Sequence, residues 1–153
     1  MPTRLLALLL TSLALCATPA VAKSPAPSLV EQALACHDAT DCPYFPEVYK
    51  NDRAFRLAFL VELRKANIRR PRWVPDGVTT PLTPVDLDGS PRLLTSVCEP
   101  HNCGHRFMLV YDPQEKSVAG TYTSTAGTGN GGEAGIVVFG QPSMAEMDLL
   151  KPN

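Results

Sequence analysis

The residues with the clearest capacity for chemistry lie in one short stretch, CEPHNCGHR, which runs from Cys98 to Arg106. Cys98 and Cys103 enclose a proline and His101, and a second histidine follows at His105. Thiolates and imidazoles are the ligands that zinc prefers, so this stretch could form a metal site. Four ligands within eight residues are crowded for a tetrahedron. The other interpretation is a disulfide that closes a small ring around His101.

The amino-terminal residues favour the disulfide because they predict export. Arg4 is followed by the apolar run Leu5–Leu15 and by Ala20-Val21-Ala22, which is the pattern of a secretory signal peptide cleaved after Ala22. The apolar run is too short to favour a membrane-spanning helix, so we expect no membrane anchor. Cysteines of exported proteins are usually oxidised.

Cleavage after Ala22 would also remove Cys16 and leave an even number of cysteines, which fits a disulfide framework. The four that remain are Cys36, Cys42, Cys98 and Cys103. They allow three pairings, of which Cys36–Cys42 and Cys98–Cys103 are the simplest. A paired cysteine in an oxidising compartment is not a free thiolate, which argues against a cysteine nucleophile.

Composition and charge place the chain among soluble globular proteins. It has 153 residues, of which 44% are hydrophobic and 19% charged, and this suits one domain. Loss of Arg4 with the signal peptide would leave 13 of the 14 basic residues against 15 acidic ones, a formal charge of −2. That charge is too weak to indicate a partner that is a nucleic acid or an anionic membrane. We divide the chain into the signal peptide (1–22), a mature N-terminal segment (23–43) and an α+β domain (44–153).

The elements that must position the ring follow from the hydrophobic periodicity. Asn51 or Asp52 can cap a helix that ends near Ala66, and a short helical turn is predicted at Pro46–Lys50. Ser143 with Glu146 fits the capping box of a closing helix. Strands with hairpin signals between them are predicted at 85–87, 92–97, 107–111, 117–124 and 136–139. The sequence therefore predicts a mostly antiparallel sheet of about five strands with helices packed on one side, and a flexible segment at 23–30.

Other motifs have simpler interpretations than the sites they resemble. The Gly-rich stretch at 125–135 lacks the Gly-Lys-Ser/Thr ending of a phosphate loop and precedes a strand, so we interpret it as a hairpin loop. A basic cluster after the long helix could bind an anion, but cations at a helix C-terminus also oppose its dipole. The cluster consists of Arg64, Lys65, Arg69, Arg70 and Arg72. No G-x-S-x-G or H-E-x-x-H motif is present, so no enzymatic function is predicted.

A six-residue disulfide ring has two interpretations on chemistry alone. Closing it would stabilise the fold by only about 2 kcal/mol through the entropy of the unfolded chain. Pro100 further restricts the backbone before His101. A rigid ring loses little entropy on binding, so it could serve as a binding loop. It could equally be a tight connection between strands that carries a solvated histidine.

The ring and its surroundings resemble the inhibitor of vertebrate lysozyme (Ivy) family, which carries a Cys-Lys-Pro-His-Asp/Asn-Cys loop. The similarity extends upstream to PRWV at 71–74 and VDLDG at 85–89, and downstream to FMLVYDPQEKSVAGTY at 107–122 and GQPSMAEMDLL at 140–150. Members of the family are periplasmic inhibitors of C-type lysozyme. The resemblance implies a non-enzymatic periplasmic protein that needs no cofactor and helps to evade host defence. A homodimer is left open.

The resemblance also implies a role for each residue of the ring. The inhibitory loop would consist of Cys98, Glu99, Pro100, His101, Asn102 and Cys103. His101 matches the histidine that meets the two catalytic carboxylates of lysozyme, and Cys98 with Cys103 matches the disulfide. Cys36 and Cys42 are an addition to the family pattern, interpreted as a second disulfide.

Glu99 is a departure from the family pattern, because it stands where the family often has lysine. Its carboxylate could bind a basic rim of lysozyme, or it could repel the lysozyme carboxylates if it points into the cleft. The direction of Glu99 therefore bears on inhibition. The alternative function is a periplasmic binding module of the same fold for another envelope protein or a glycan. A carboxylate-based hydrolase is a further alternative.

Overall fold

The computed structural model describes residues 26–125 and 135–151. The predicted signal peptide and nearly all of the Gly-rich stretch lie outside these residues. The helices of the described chain are α1 (Leu29–Ala35), α2 (Phe45–Asn51), α3 (Arg53–Lys65) and α4 (Met144–Leu149). Its strands are β1 (Val78–Thr79), β2 (Thr83–Leu87), β3 (Ser90–Glu99), β4 (Asn102–Asp112), β5 (Ser117–Ser124) and β6 (Gly135–Phe139).

The six strands form one antiparallel sheet built around the long β3–β4 hairpin. The order is β1-β3-β4-β5-β6, and β2 also pairs with β3 along the edge that β1 continues. The β2–β3 turn has φ values of 53° at Asp88 and 78° at Gly89, as a type I′ hairpin requires. The predicted α+β class and the mostly antiparallel sheet are confirmed.

Helix α3 forms where the sequence predicts it, because its ends are capped and one face is apolar. The Asp52 side chain accepts a hydrogen bond of 2.9 Å from the backbone N–H of Phe55, and Arg64 and Lys65 lie in the last turn. Phe55, Phe59 and Leu63 recur every four residues and are fully or almost fully buried. The apolar face of α3 therefore anchors the helix on the sheet.

The core lies between α1–α3 and one face of the sheet. Phe107 of β4 stacks on Tyr122 of β5 with ring centroids 4.4 Å apart, and it meets Phe59 of α3 edge-on at 5.5 Å. Large aromatic rings bury much apolar area and favour such tilted contacts. The central strand β4, which leads directly from the ring, is thus fixed by the most densely aromatic part of the molecule.

Helix α4 departs from the predicted arrangement of helices on one side. The backbone carbonyl of Leu150, just after α4, accepts a hydrogen bond from the Thr121 hydroxyl. Thr121 alternates along β5 with Val118 and Tyr122, which face the core on the other side. Three of the four described helices therefore share one face of the sheet, and α4 lies against the opposite face.

The prediction of a flexible segment at 23–30 is wrong for its last two residues, because α1 begins at Leu29. Residues 23–25 lie outside the described residues. Ser28 and Glu31 form a capping box at the start of α1, with the Ser28 N–H donating to the Glu31 carboxylate at 2.6 Å. Val30 and Ala33 of α1 contribute to the core.

Within the two described ranges, no helix has the length and apolar character that a membrane crossing requires.

Candidate functional site

The ring predicted from the sequence forms the tip of the β3–β4 hairpin. Glu99 at the end of β3 pairs with Asn102 at the start of β4, so the turn itself contains only Pro100 and His101. His101 has a φ of 63°. A proline followed by a residue of positive φ is the pattern of a type II turn. The sequence Pro-His thus forms the tightest connection that two antiparallel strands allow.

A disulfide between Cys98 and Cys103 closes the ring, with the two Cα atoms 4.9 Å apart. Cys98 is buried in the sheet, whereas Cys103 is exposed at the surface. The disulfide therefore ties the exposed tip to a fixed point of the sheet. Because both sulfurs are bonded to each other, they are not available as thiolate ligands, and the zinc interpretation loses two of its four ligands.

His101 lies at the tip with its side chain exposed, as do its neighbours Pro100 and Asn102. Its ring makes no hydrogen bond or ion pair with another residue in the described part of the chain. Both ring nitrogens can therefore bind acceptors or donors of another molecule. The short turn and the disulfide together hold this imidazole away from the protein's own sheet.

Glu99 points inward rather than toward the tip. One of its carboxylate oxygens lies 2.5 Å from Nδ1 of His105, and the side chain retains 33% of its exposure. The amide nitrogen of Asn102 lies 3.4 Å from the same oxygen. The Glu99 carboxylate, whose direction the sequence left open, is therefore in contact with a buried histidine of β4 and is not free at the tip.

His105 is the functional candidate that the sequence analysis did not include in the loop. It is almost completely buried, and its Nε2 lies 2.7 Å from the hydroxyl of Thr125. A signal was present in the sequence, since His105 alternates with Phe107, Leu109 and Tyr111. That alternation places it on the inner face of β4. Nothing in the sequence indicated that Thr125, twenty residues away, would contact it.

The second predicted disulfide also forms, between Cys36 and Cys42, with the two Cα atoms 5.4 Å apart. It closes a loop between α1 and α2 rather than a hairpin tip. His37 within it is exposed and lies outside the β3–β4 tip. The structure therefore brings together all residues of the Cys98–Cys103 loop and leaves Cys36, His37 and Cys42 as a separate feature.

The basic cluster after α3 is exposed, and part of it has internal partners. Lys65 pairs with Glu62 at 2.6 Å, and a guanidinium nitrogen of Arg70 donates to the backbone carbonyl of Val74.

No group of three or more side chains suited to hold a metal ion occurs among the residues from 26 to 125 and 135 to 151.

Comparison with known proteins supports the resemblance drawn from the loop. No protein-family model matches the chain. A stretch of 51 residues is 41% identical to a protein of Pseudomonas aeruginosa named inhibitor of vertebrate lysozyme. The stretch covers 32% of this chain and 33% of that protein, so the chain matches about a third of the length of this relative.

Proposed function

We propose that the protein is a periplasmic inhibitor of C-type lysozyme that inserts the Cys98–Cys103 loop into the active-site cleft. The observation that carries the proposal is the exposed imidazole of His101 at a two-residue turn closed by a disulfide. The similarity to a relative named as a lysozyme inhibitor supports it. The protein would act by occupying the cleft and would not be an enzyme.

The chemistry of the cleft explains why an imidazole suits this role. Retaining glycosidases place two carboxyl groups about 5 Å apart. A protonated imidazole has N–H donors on both sides of the ring, so one side chain can bridge two carboxylates. Hydrogen bonds between charged groups are shorter and stronger than neutral ones. His101 is the anchor in this proposal, and the other loop residues exclude water around it.

Rigidity and charge at the tip both favour insertion. A ring that is already ordered loses little conformational entropy when it enters the cleft. The acidic residue nearest to His101 in sequence is Glu99, and its carboxylate contacts the buried His105. A carboxylate held in this contact would repel the two lysozyme carboxylates less than one that is free at the tip.

Titration of a C-type lysozyme with the purified mature protein tests the proposal. Lysis of bacterial cell walls should fall in proportion to the inhibitor added until the two proteins are equimolar. A lysozyme of a different structural type serves as the control and should remain active. Light scattering on the complex gives the number of inhibitor copies and distinguishes a monomer from a homodimer.

The alternatives give different results in the same assay. No change in lysis would favour a binding module for another envelope protein or a glycan. Lysis by the protein alone would favour a hydrolase. If inhibition is found, export can be checked separately by locating the protein in periplasmic extracts and sequencing its mature amino terminus, which we expect at Lys23.

A further inference from the structure

A bulge in the β3–β4 hairpin places His105 close to the Cys98–Cys103 disulfide loop. Cys98 pairs with Arg106, but the next residue of β3, Glu99, pairs with Asn102. Three residues of β4, from Cys103 to His105, therefore have no partner on β3 and form a bulge. Bulges redirect side chains and often lie beside functional sites. Here the bulge separates the disulfide from a buried histidine by a single glycine.

The surroundings of His105 form a connected polar group, which we call the clamp and define as Glu99, Asn102, His105 and Thr125. An ionised carboxylate can only accept hydrogen bonds, so Nδ1 of His105 must carry the proton that bridges to Glu99 at 2.5 Å. The Asn102 amide nitrogen lies 3.4 Å from the same oxygen and 3.3 Å from Nδ1. With the proton on Nδ1, only the oxygen can accept from the amide. Two donors thus hold one oxygen of the Glu99 side chain.

Thr125 completes the clamp on the other side of the imidazole. Its hydroxyl lies 2.7 Å from Nε2 of His105, and its backbone carbonyl lies 3.4 Å away. A hydroxyl can donate or accept, so Nε2 of the imidazole has a hydrogen-bond partner whether or not it carries a proton. Since a buried polar group without a partner is costly, this arrangement fixes the orientation of His105 and, through it, of Glu99.

We propose that His105 is a positioning residue for lysozyme inhibition, because it holds the Glu99 carboxylate beneath the ring and away from the cleft. This inference rests on the proposed function and deepens it. Without His105, the carboxylate would be released at the base of the tip, next to His101. It would then approach the two lysozyme carboxylates, and like charges brought together at an interface weaken binding.

Four proteins test the role of the clamp: the native protein, His105→Phe, Glu99→Gln and the double variant. Phenylalanine keeps the ring shape but has no donor, so His105→Phe should raise the inhibition constant about tenfold, as expected for loss of a hydrogen bond to a charged group. Glu99→Gln should change it by less than about threefold, because no charge is left to repel the cleft. The double variant should return to within about threefold of the native protein.

The double variant separates positioning from a merely structural role. If His105 only supports the fold, adding Glu99→Gln cannot rescue inhibition, and the double variant would be as weak as His105→Phe or weaker. That result, or a native inhibition constant for His105→Phe, would overturn the inference. His37→Phe is the matched control, because it makes the same substitution at an exposed histidine outside the clamp. Thermal unfolding of each variant establishes that it is folded.

A measurement on the free protein distinguishes failure of the clamp from failure of the proposed function. NMR of the histidine side chains should show a proton on Nδ1 of His105 that is protected from exchange in the native protein and is less protected in Glu99→Gln. An unprotected Nδ1 proton in the native protein would overturn the clamp, whatever the lysozyme assay shows. A protected proton in a protein that does not inhibit lysozyme would instead remove the proposed function.

Discussion

Two small rings closed by disulfides each contain an exposed histidine, but they lie in different structural settings. Cys36–Cys42 closes a loop between two helices, and the chain that leaves it pairs with the segment before β2, where the Leu82 N–H donates to the carbonyl of Pro43 at 2.9 Å. Cys98–Cys103 closes the free end of a hairpin, beyond which no described element continues. The Cys36–Cys42 ring leads the chain from α1 to α2, which packs in the core, whereas the Cys98–Cys103 ring exposes the side chain of His101 to solvent.

The internal hydrogen bonds of the two rings differ in the same way. In the first ring, Asp38 accepts bonds of 2.9 Å from the backbone N–H and the hydroxyl of Thr40, so its acidic group stabilises a local turn. In the second ring, the Glu99 carboxylate contacts His105, a buried histidine of strand β4. A short disulfide ring is therefore not by itself evidence of a function. Its capacity to bind a partner depends on the elements that it connects and on the contacts of its charged side chains.

The largest expected contrast is between the two ring histidines. His101→Ala should weaken lysozyme inhibition by about thirty-fold or more, because it removes the proposed anchor of the proposed interface. His37→Ala should change the inhibition constant by less than about twofold, as for an ordinary surface substitution. Inhibition constants from the lysis assay measure both. Equal effects of the two substitutions would mean that the tip has no special role.

Removal of each disulfide should separate stability from presentation. The double substitutions Cys98→Ala with Cys103→Ala, and Cys36→Ala with Cys42→Ala, should each lower the free energy of unfolding by about 2 kcal/mol, because the rings are of similar size. Only the first should weaken inhibition, by about tenfold, since the loop must then be ordered on binding. Denaturant unfolding and the lysis assay measure the two quantities. Loss of inhibition in the Cys36–Cys42 variant alone would reverse the assignment of the rings.

The smallest effect concerns the pH response of the first ring. The backbone N–H of Thr40, followed by its hydroxyl, lowers the pKa of Asp38 below its usual value. A lowered pKa in the folded state stabilises the fold above the unfolded pKa of about 3.9, and this contribution is lost as the pH falls through the folded value. Thr40→Val should raise the pKa of Asp38 part of the way back, since the backbone bond remains.

An NMR titration of the Asp38 carboxyl carbon in both proteins measures that pKa. Inhibition at neutral pH should be unchanged by Thr40→Val, because Asp38 is ionised there in either protein and the ring lies outside the proposed interface. An Asp38 pKa at or above its usual value in the native protein would contradict the structural role given to this turn.

Local signals explain which parts of the fold could be predicted. Helix α3 has a cap and a long apolar periodicity, and the closing helix has the Ser143–Glu146 capping box, so both were found. The same box at Ser28–Glu31 begins α1, which is one residue longer than α4, so length does not explain why it was missed. The prolines before the box favoured a flexible terminus at 23–30 and drew attention away from α1. Its stability comes from packing against the core rather than from its own sequence.

In the candidate site, the sequence predicted the disulfide loop but not the contacts between its side chains. The spacing of Cys98 and Cys103 indicated the ring, and strand alternation could have placed His105 on the inner face of β4. The contact between His105 and Glu99 could not be predicted, because it depends on a bulge that shifts the register by three residues. Register is decided by the pairing of whole strands, which no local pattern around the ring contains.

The positive φ of His101 sets stability and recognition against each other at one position. In that backbone conformation glycine has no steric penalty and asparagine a small one, whereas most other side chains are strained. Stability of the hairpin alone would therefore favour glycine or asparagine over histidine at this position. Under the proposed function, histidine at this position is a trade-off confined to a single residue, in which some folding free energy is given up for a contact with lysozyme.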